Sequence, residues 1–423
     1  MRTIKRLSAI LIAVLLCALL LAPAAAYADN TYTAVEGTST TFNKYLIMDA
    51  GDNVPNVSFS FSVAPGTAIS ASAGKMEVMA GPGAPTIADV TFAPSDATAT
   101  EAGTNIDIAR QASARADGLT AETGVQLEAG EKYATKQATV SFSGITFDEP
   151  GIYRYIITET ANADHESAGI MHDNDVDRVL DVYVSDDGTG TLTVAAYVLH
   201  LNANDIAAGS GNGSADVQTD GAPLDDKTDG FTNEFNSKDL VFKKEVTGNQ
   251  ASRDKWFAFT ATVTDVNDDD VFTISLADDG DDNTTDGNAD ATSGVNNATI
   301  AENQNKTNPT SATGAELKAG VKFYLQHGQS VAIRGIAPNA AYTVEENAED
   351  YKSTASGVSG YDKAATGVIG TIAGTEKVVK TSFLNTRNGM IPTGVLLTAV
   401  PGIAIVAVAL GGLLAVKRKK NED

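Results

Sequence analysis

The sequence predicts an all-β protein, built as tandem β-sandwich domains between an N-terminal secretory leader and a C-terminal membrane-length segment. Three observations carry this reading. Apolar residues alternate with polar ones over short runs broken by turn residues, which is how half-buried strands read. Helical periodicity is scarce between the two ends. A set of short motifs recurs once in each half of the chain.

The ends come first. Arg2, Lys5 and Arg6 precede an apolar stretch from Leu7 to Leu21, and small residues follow up to Ala26-Tyr27-Ala28. This pattern predicts a signal peptide over residues 1–28, cut after Ala28 so that the mature chain starts at Asp29. The single cysteine, Cys17, leaves with the leader. An exported chain without disulfides must take its rigidity from large cores or from another crosslink.

At the other end, Ile391-Pro392-Thr393-Gly394 precedes an apolar run over 395–416 and the cluster Lys417-Arg418-Lys419-Lys420. About twenty apolar residues match the roughly 30 Å hydrocarbon core of a bilayer. The basic cluster keeps the tail in the cytoplasm by the positive-inside rule. Motif, span and basic tail in that order, residues 389–423, read as a cell-wall sorting signal, which a sortase cuts between Thr393 and Gly394.

Removing three basic residues with the leader, and four basic plus two acidic residues with the tail, leaves 52 acidic against 23 basic side chains, a net charge of −29. That balance excludes nucleic acid and anionic lipid as partners. The remaining 365 residues suffice for two or three domains.

Strand signals fill the interior. Val140 and Phe142 alternate with polar neighbours, Pro150-Gly151 makes a turn, and Tyr153, Tyr155, Ile157 and Glu159 then share one face. Leu180, Val182 and Val184 are set to pair with Leu192, Val194 and Ala196 across a turn at Asp187-Gly188. Val321, Phe323 and Leu325, then Val331 and Ile333, then Tyr342, Val344 and Glu346 repeat the pattern. Short strands with frequent turns predict sandwiches.

The repeat divides the chain. Phe42-Asn43-Lys44-Tyr45-Leu46 corresponds to Phe242-Lys243-Lys244-Glu245-Val246, and Tyr155-Ile156-Ile157-Thr158-Glu159 to Tyr342-Thr343-Val344-Glu345-Glu346. Phe231-Thr232-Asn233 corresponds to Phe383-Leu384-Asn385. Two domains follow, 29–236 and 237–388.

The repeated polar residues sit on the apolar side of the alternation. With a period of two, Lys44 points with Phe42 and Leu46, and Lys244 with Phe242 and Val246. Glu159 and Glu346 share faces with Tyr155 and Tyr342, and Asn233 and Asn385 with Phe231 and Phe383. Lys243 and Glu345, one residue off register, face outward unless a bulge intervenes. Each domain thus sends one Lys, one Glu and one Asn into its core.

Buried charges must be answered. One answer is an ion pair hydrogen-bonded to the amide. The other is chemistry, because burial lowers the pKa of a lysine and raises that of a carboxylic acid, so a neutral amine can coexist with a protonated acid. A neutral Nζ can attack the Asn carbonyl carbon while the acid moves the protons. Ammonia leaves, and an isopeptide bond remains.

With these residues in view, the chain resembles the streptococcal T-antigen type of major pilin across nearly its whole length. The resemblance rests on the Phe-Thr-Asn element at 231–233, followed by Val241-Phe242-Lys243-Lys244, and on Phe323-x-Leu325-x-x-Gly328-x-Ser330 leading to Pro338 and Tyr342-x-Val344-x-Glu346. Ile391-Pro392-Thr393-Gly394 is similar to the family's terminal Val-Pro-Thr-Gly motif. The resemblance implies immunoglobulin-like domains, each crosslinked autocatalytically. It implies a first set of Lys44, Glu159 and Asn233 and a second of Lys244, Glu346 and Asn385, the glutamates acting as proton shuttles. The motif lacks the residue that separates Pro and Thr in Leu-Pro-x-Thr-Gly, which favours a dedicated pilus sortase.

A polymer also needs an exposed lysine to receive the neighbour's Thr393. The resemblance implies Lys227, in the polar loop before Asn233, with Lys238 as the alternative. No cofactor is expected. The acidic tract from Asp278 to Asp290 has a calcium-loop composition, yet from Asp282 the twelfth position is Ser293 where a bidentate Glu is needed. Residues 264–313 therefore read as an acidic solvated insertion, with no metal site. The four histidines show no zinc spacing. His165 and His172 flank a loop and are expected to face solvent, and Trp256 is expected in the core.

The function expected is that of a backbone pilin: a sortase substrate rather than an enzyme, joined covalently to other copies of itself, with accessory pilins or a host surface as further partners. The alternative is a monomeric wall-anchored adhesin. No catalytic constellation supports a surface hydrolase.

Overall fold

The computed structural model describes residues 32–71, 77–100, 105–106, 125–127, 129–160, 162–172, 177–200, 228–277, 308–356, 367–373 and 377–389. The leader with its Ala28/Asp29 cut, Lys227, the tract from Asp278 to Asp290, the sorting motif Ile391 to Gly394 and the apolar run 395–416 lie outside the described residues. Among the described residues no helix is long and apolar enough to cross a membrane.

Nearly all of the described secondary structure is β. In the N-terminal unit one sheet runs in the order Ile170–Met171, Gly230–Phe235, Thr40–Asp49, Glu131–Ser141 and Thr86–Ile87. The facing sheet runs Leu192–His200, Asp177–Asp186, Gly151–Glu159 and Phe61–Pro65. Their inner faces meet in one core containing Phe42, Leu46, Phe59, Phe142, Tyr155 and Phe231. This is the alternation that the sequence carries, folded inward on both sheets. Asp177–Asp186 and Leu192–His200 form the expected hairpin, with a register shift at Tyr183/Val184.

The C-terminal unit repeats the plan. One sheet runs Ser311–Thr313, Val271–Ala277, Ser330–Ile336, Lys238–Thr247, Val378–Thr386 and Lys352–Ser356. The other runs Val321–Leu325, Phe257–Val263, Ala341–Asn347 and Gly367–Thr371. Phe242, Phe259, Phe323, Val344 and Phe383 lie in its core, and Trp256 is buried. Both units are immunoglobulin-like sandwiches.

In each unit the strand that opens the domain lies beside the strand that closes it, and the two are parallel. Lys44 is in register with Phe231, and Lys244 with Phe383. The asparagine stands two residues beyond that phenylalanine in both cases, so lysine and asparagine project from neighbouring strands into the same core.

The units meet through polar contacts. Asn56 donates to Asp270 Oδ1 from its backbone N–H at 2.8 Å and from Nδ2 at 3.0 Å. Lys377 contacts Asp49 and donates to the Ser237 carbonyl at 3.1 Å, while Ser237 Oγ donates to Asp52. Burial raises the Asp52 carboxyl above its ordinary range and lifts Asp239 to about 7, with Lys377 opposing both shifts.

Three expectations are corrected. Val271–Ala277 is a strand paired with Ser330–Ile336, and Ser311–Thr313 pairs with it in turn, so the expected insertion 264–313 includes sheet at both ends. Lys238, the alternative acceptor, is buried at the junction rather than exposed. His165 and His172 do not face solvent. His165 lies in the short helix Ala163–Ser167 and is buried, its ring against Phe59 at 5.0 Å, and His172 turns inward just after Ile170–Met171.

Candidate functional site: two buried Lys-Glu-Asn clusters

The first cluster assembles from three strands. Lys44 comes from Thr40–Asp49 and Asn233 from the parallel neighbour Gly230–Phe235; Glu159, the last residue of Gly151–Glu159, reaches across from the facing sheet. Lys44 Nζ donates to Glu159 Oε2 at 2.8 Å and also to Asn233 Oδ1. Asn233 Nδ2 donates to Glu159 Oε1 at 2.8 Å. The lysine nitrogen stands 4.4 Å from the centre of the Phe59 ring.

The second cluster uses the equivalent strands. Lys244 Nζ lies 2.6 Å from Glu346 Oε1, and Asn385 Nδ2 donates to the same oxygen at 2.8 Å. Ser353 Oγ donates to Glu346 Oε2 at 2.9 Å. Phe257 flanks the amine, with its ring centre 4.5 Å away. Asn385 Oδ1 has no hydrogen-bond partner among the described residues, so the amide carbonyl is held by its nitrogen side alone.

All six side chains are sealed from solvent. Lys44, Lys244 and Asn385 are 0% exposed, Asn233 1%, Glu346 2% and Glu159 3%. Burial pushes the Lys244 amine down to about 8, against the opposing pull of Glu346. A substantial share of that amine is therefore neutral near pH 7.5, which is the nucleophilic form. Lys243 and Glu345 stand off the site: Lys243 is partly exposed, 3.3 Å from Glu245, and Glu345 is exposed.

The arrangement places an amine, an amide and a carboxyl group in one dry pocket, with the carboxyl bridging the other two. Such a bridge can take a proton from the attacking nitrogen and supply one to the departing nitrogen.

Sequence reasoning did not find His172. Its Nδ1 lies 3.1 Å from Glu159 Oε1 and 3.1 Å from Asn233 Nδ2. The segment Ile170–Met171 is too short to show periodicity, but it pairs with Phe235 and Glu234 at the edge of the asparagine strand and so delivers the next residue to the cluster. A second omission is Arg154, buried on the outward side of the glutamate strand. It is matched by Asp181 through two hydrogen bonds of 2.9 Å each.

Residues 91–236 match the family model of the Spy0128-like isopeptide containing domain, and residues 238–387 match a domain of unknown function (DUF7601). A pilin of Streptococcus pyogenes serotype M1 is 25% identical over 399 residues, covering 92% of this chain and 93% of that protein. The crystal structure of the major pilin from Streptococcus pyogenes aligns at 20% identity with a TM-score of 0.47, covering 84% of this chain and all of that one. The T3.2 major pilin of the same species gives 18% identity and a TM-score of 0.48 over 84% of this chain and 99% of its own. The N-terminal unit is thus similar to an isopeptide containing domain, and the chain is similar to a streptococcal pilin along almost its full length.

Proposed function

We propose that this chain is the shaft subunit of a Gram-positive surface pilus and that each domain crosslinks itself once. Lys44 joins Asn233 and Lys244 joins Asn385, with Glu159 and Glu346 moving the protons. Each reaction forms an Nζ–Cγ bond, breaks the Cγ–Nδ2 bond and releases ammonia, so the domain consumes its own site and turns nothing over. A sortase then cuts between Thr393 and Gly394 and passes Thr393 to Lys227 of the next copy, or finally to the wall. Accessory pilins or a host surface complete the set of partners.

The observation that carries the crosslinking is its duplication. Two domains of differing sequence bring the same three residue types together in the same strand register, from the same three strands, in a sealed core. An ion pair serving stability alone has no need of the amide beside it in both copies.

The test is the mass of the full 423-residue chain made by cell-free translation. Each bond removes one ammonia, so a chain with both should weigh about 34 Da less than its sequence. Glu159→Ala and Glu346→Ala should each restore about 17 Da. A full sequence mass in the unaltered protein would reduce both clusters to buried polar networks. For the polymer, a ladder resistant to boiling in detergent that disappears in Lys227→Ala is expected on cells expressing the pilin with its sortase. A single anchored species would favour the adhesin.

A further inference from the structure

The geometry points to His172 as a catalytic residue of the first-domain crosslink, delivering the proton with which the Asn233 side-chain nitrogen leaves as ammonia. This rests on the crosslinking reading above and adds a group to it that has no counterpart at the second cluster among the described residues.

The placement is specific. His172 Nδ1 lies 3.1 Å from both the leaving nitrogen and Glu159 Oε1. Its ring is only 21% exposed and stacks on His165, with centroids 5.2 Å apart and planes at 27°. His165 is in turn held by the contact of its Nε2 with the Ser58 carbonyl at 2.9 Å. The imidazole of His172 is thus aimed at the reacting amide by packed neighbours. At the second cluster no ring nitrogen faces Asn385 among the described residues, and Glu346 is held instead by the Ser353 hydroxyl.

Elementary amide chemistry explains why a donor belongs there. A planar amide nitrogen shares its lone pair with the carbonyl and accepts no hydrogen bond, so before reaction Nδ1–H donates to Glu159 Oε1. When Lys44 Nζ adds to Cγ, that carbon becomes tetrahedral and the lone pair localises on Nδ2. The nitrogen then becomes an acceptor 3.1 Å from Nδ1. Glu159, as the carboxylate, takes one proton from Nζ, and His172, as the imidazolium, gives its Nδ1 proton to Nδ2 and is left as the neutral Nε2–H ring. The Cγ–Nδ2 bond breaks, the carbonyl re-forms, and ammonia leaves. The proton held by Glu159 returns to His172 across their contact, so both groups end as they began. In the second domain Glu346 must perform both transfers alone.

The second domain provides an internal control. The full chain would be synthesised by cell-free translation, quenched at intervals and digested, and the two crosslinked peptides quantified by mass spectrometry. His172→Leu should slow the Lys44–Asn233 link by about 100-fold, at the low end of what a general acid contributes, and leave the Lys244–Asn385 link unchanged. His172→Asn sets an amide where Nδ1 stood. It can keep both hydrogen bonds but cannot release a proton, and it should be similarly slow. A wild-type rate in His172→Asn would make the ring a positioning group and overturn the assignment, as would equal slowing of both links. Absence of both links in the unaltered chain would instead overturn the crosslinking itself.

Discussion

Lys244 is the residue on which the proposed crosslink of the second domain turns. Its amine is held near 8 because burial outweighs the attraction of Glu346. The reactive form is the neutral amine, whose fraction rises about tenfold per pH unit below that value and levels off above it. The rate of the Lys244–Asn385 link should therefore climb from pH 6 to pH 8 and then flatten, as read from timed quenches of newly made chain. Glu346→Ala should abolish that link while sparing the first. It also strands a buried amine, which costs on the order of 3–5 kcal/mol, so a lower melting temperature for the second domain should accompany the restored mass. The lysines and glutamates were legible in the sequence because a strand alternates: a charged residue on the apolar side stands out. His172 was not legible, since its role depends on a short helix and a two-residue strand carrying it back to the edge of the asparagine strand.

Among the elements, the parallel pairing of opening and closing strands sets the register that matters. It requires close approach. A Cβ on Gly230 would overlap the Asn43 carbonyl, and the Gly230 carbonyl itself accepts from Arg178 Nε at 3.0 Å. Gly230→Ala should push the asparagine strand away from the lysine strand and reduce the first-domain crosslink to a minor fraction, measured as loss of its share of the mass deficit. The strands themselves were readable from alternation and turns, including the hairpin at Asp187-Gly188. Their partners were not, because parallel pairing of segments nearly two hundred residues apart leaves no local signal. Nor did acidic composition reveal Val271–Ala277 as a strand, since Val271, Phe272, Ile274 and Leu276 stand just before the densest run of aspartates.

At the scale of the whole molecule, the junction joins two cores through buried acids. Asp239 is shifted from 3.8 to about 7, so the folded state holds its proton more tightly than the unfolded chain does. Stability from this group is complete below the unfolded value and is lost as pH rises through about 7. Lys377, raised as well, keeps its charge throughout that window. The melting temperature should fall by a few degrees between pH 5.5 and pH 8, and Asp239→Asn should flatten that dependence. The repeat in the sequence pointed to tandem sandwiches, yet these junction residues belong to no repeat and could be found only in three dimensions. The adjacency of first and last strands has one more consequence. With the links closed, each domain is a ring in covalent topology, and the chain is a row of rings joined by short stems. A protease that cuts once inside a ring opens it without severing the molecule. Detergent and heat would still show one species of full mass, and only a second cut in the same ring could release a fragment.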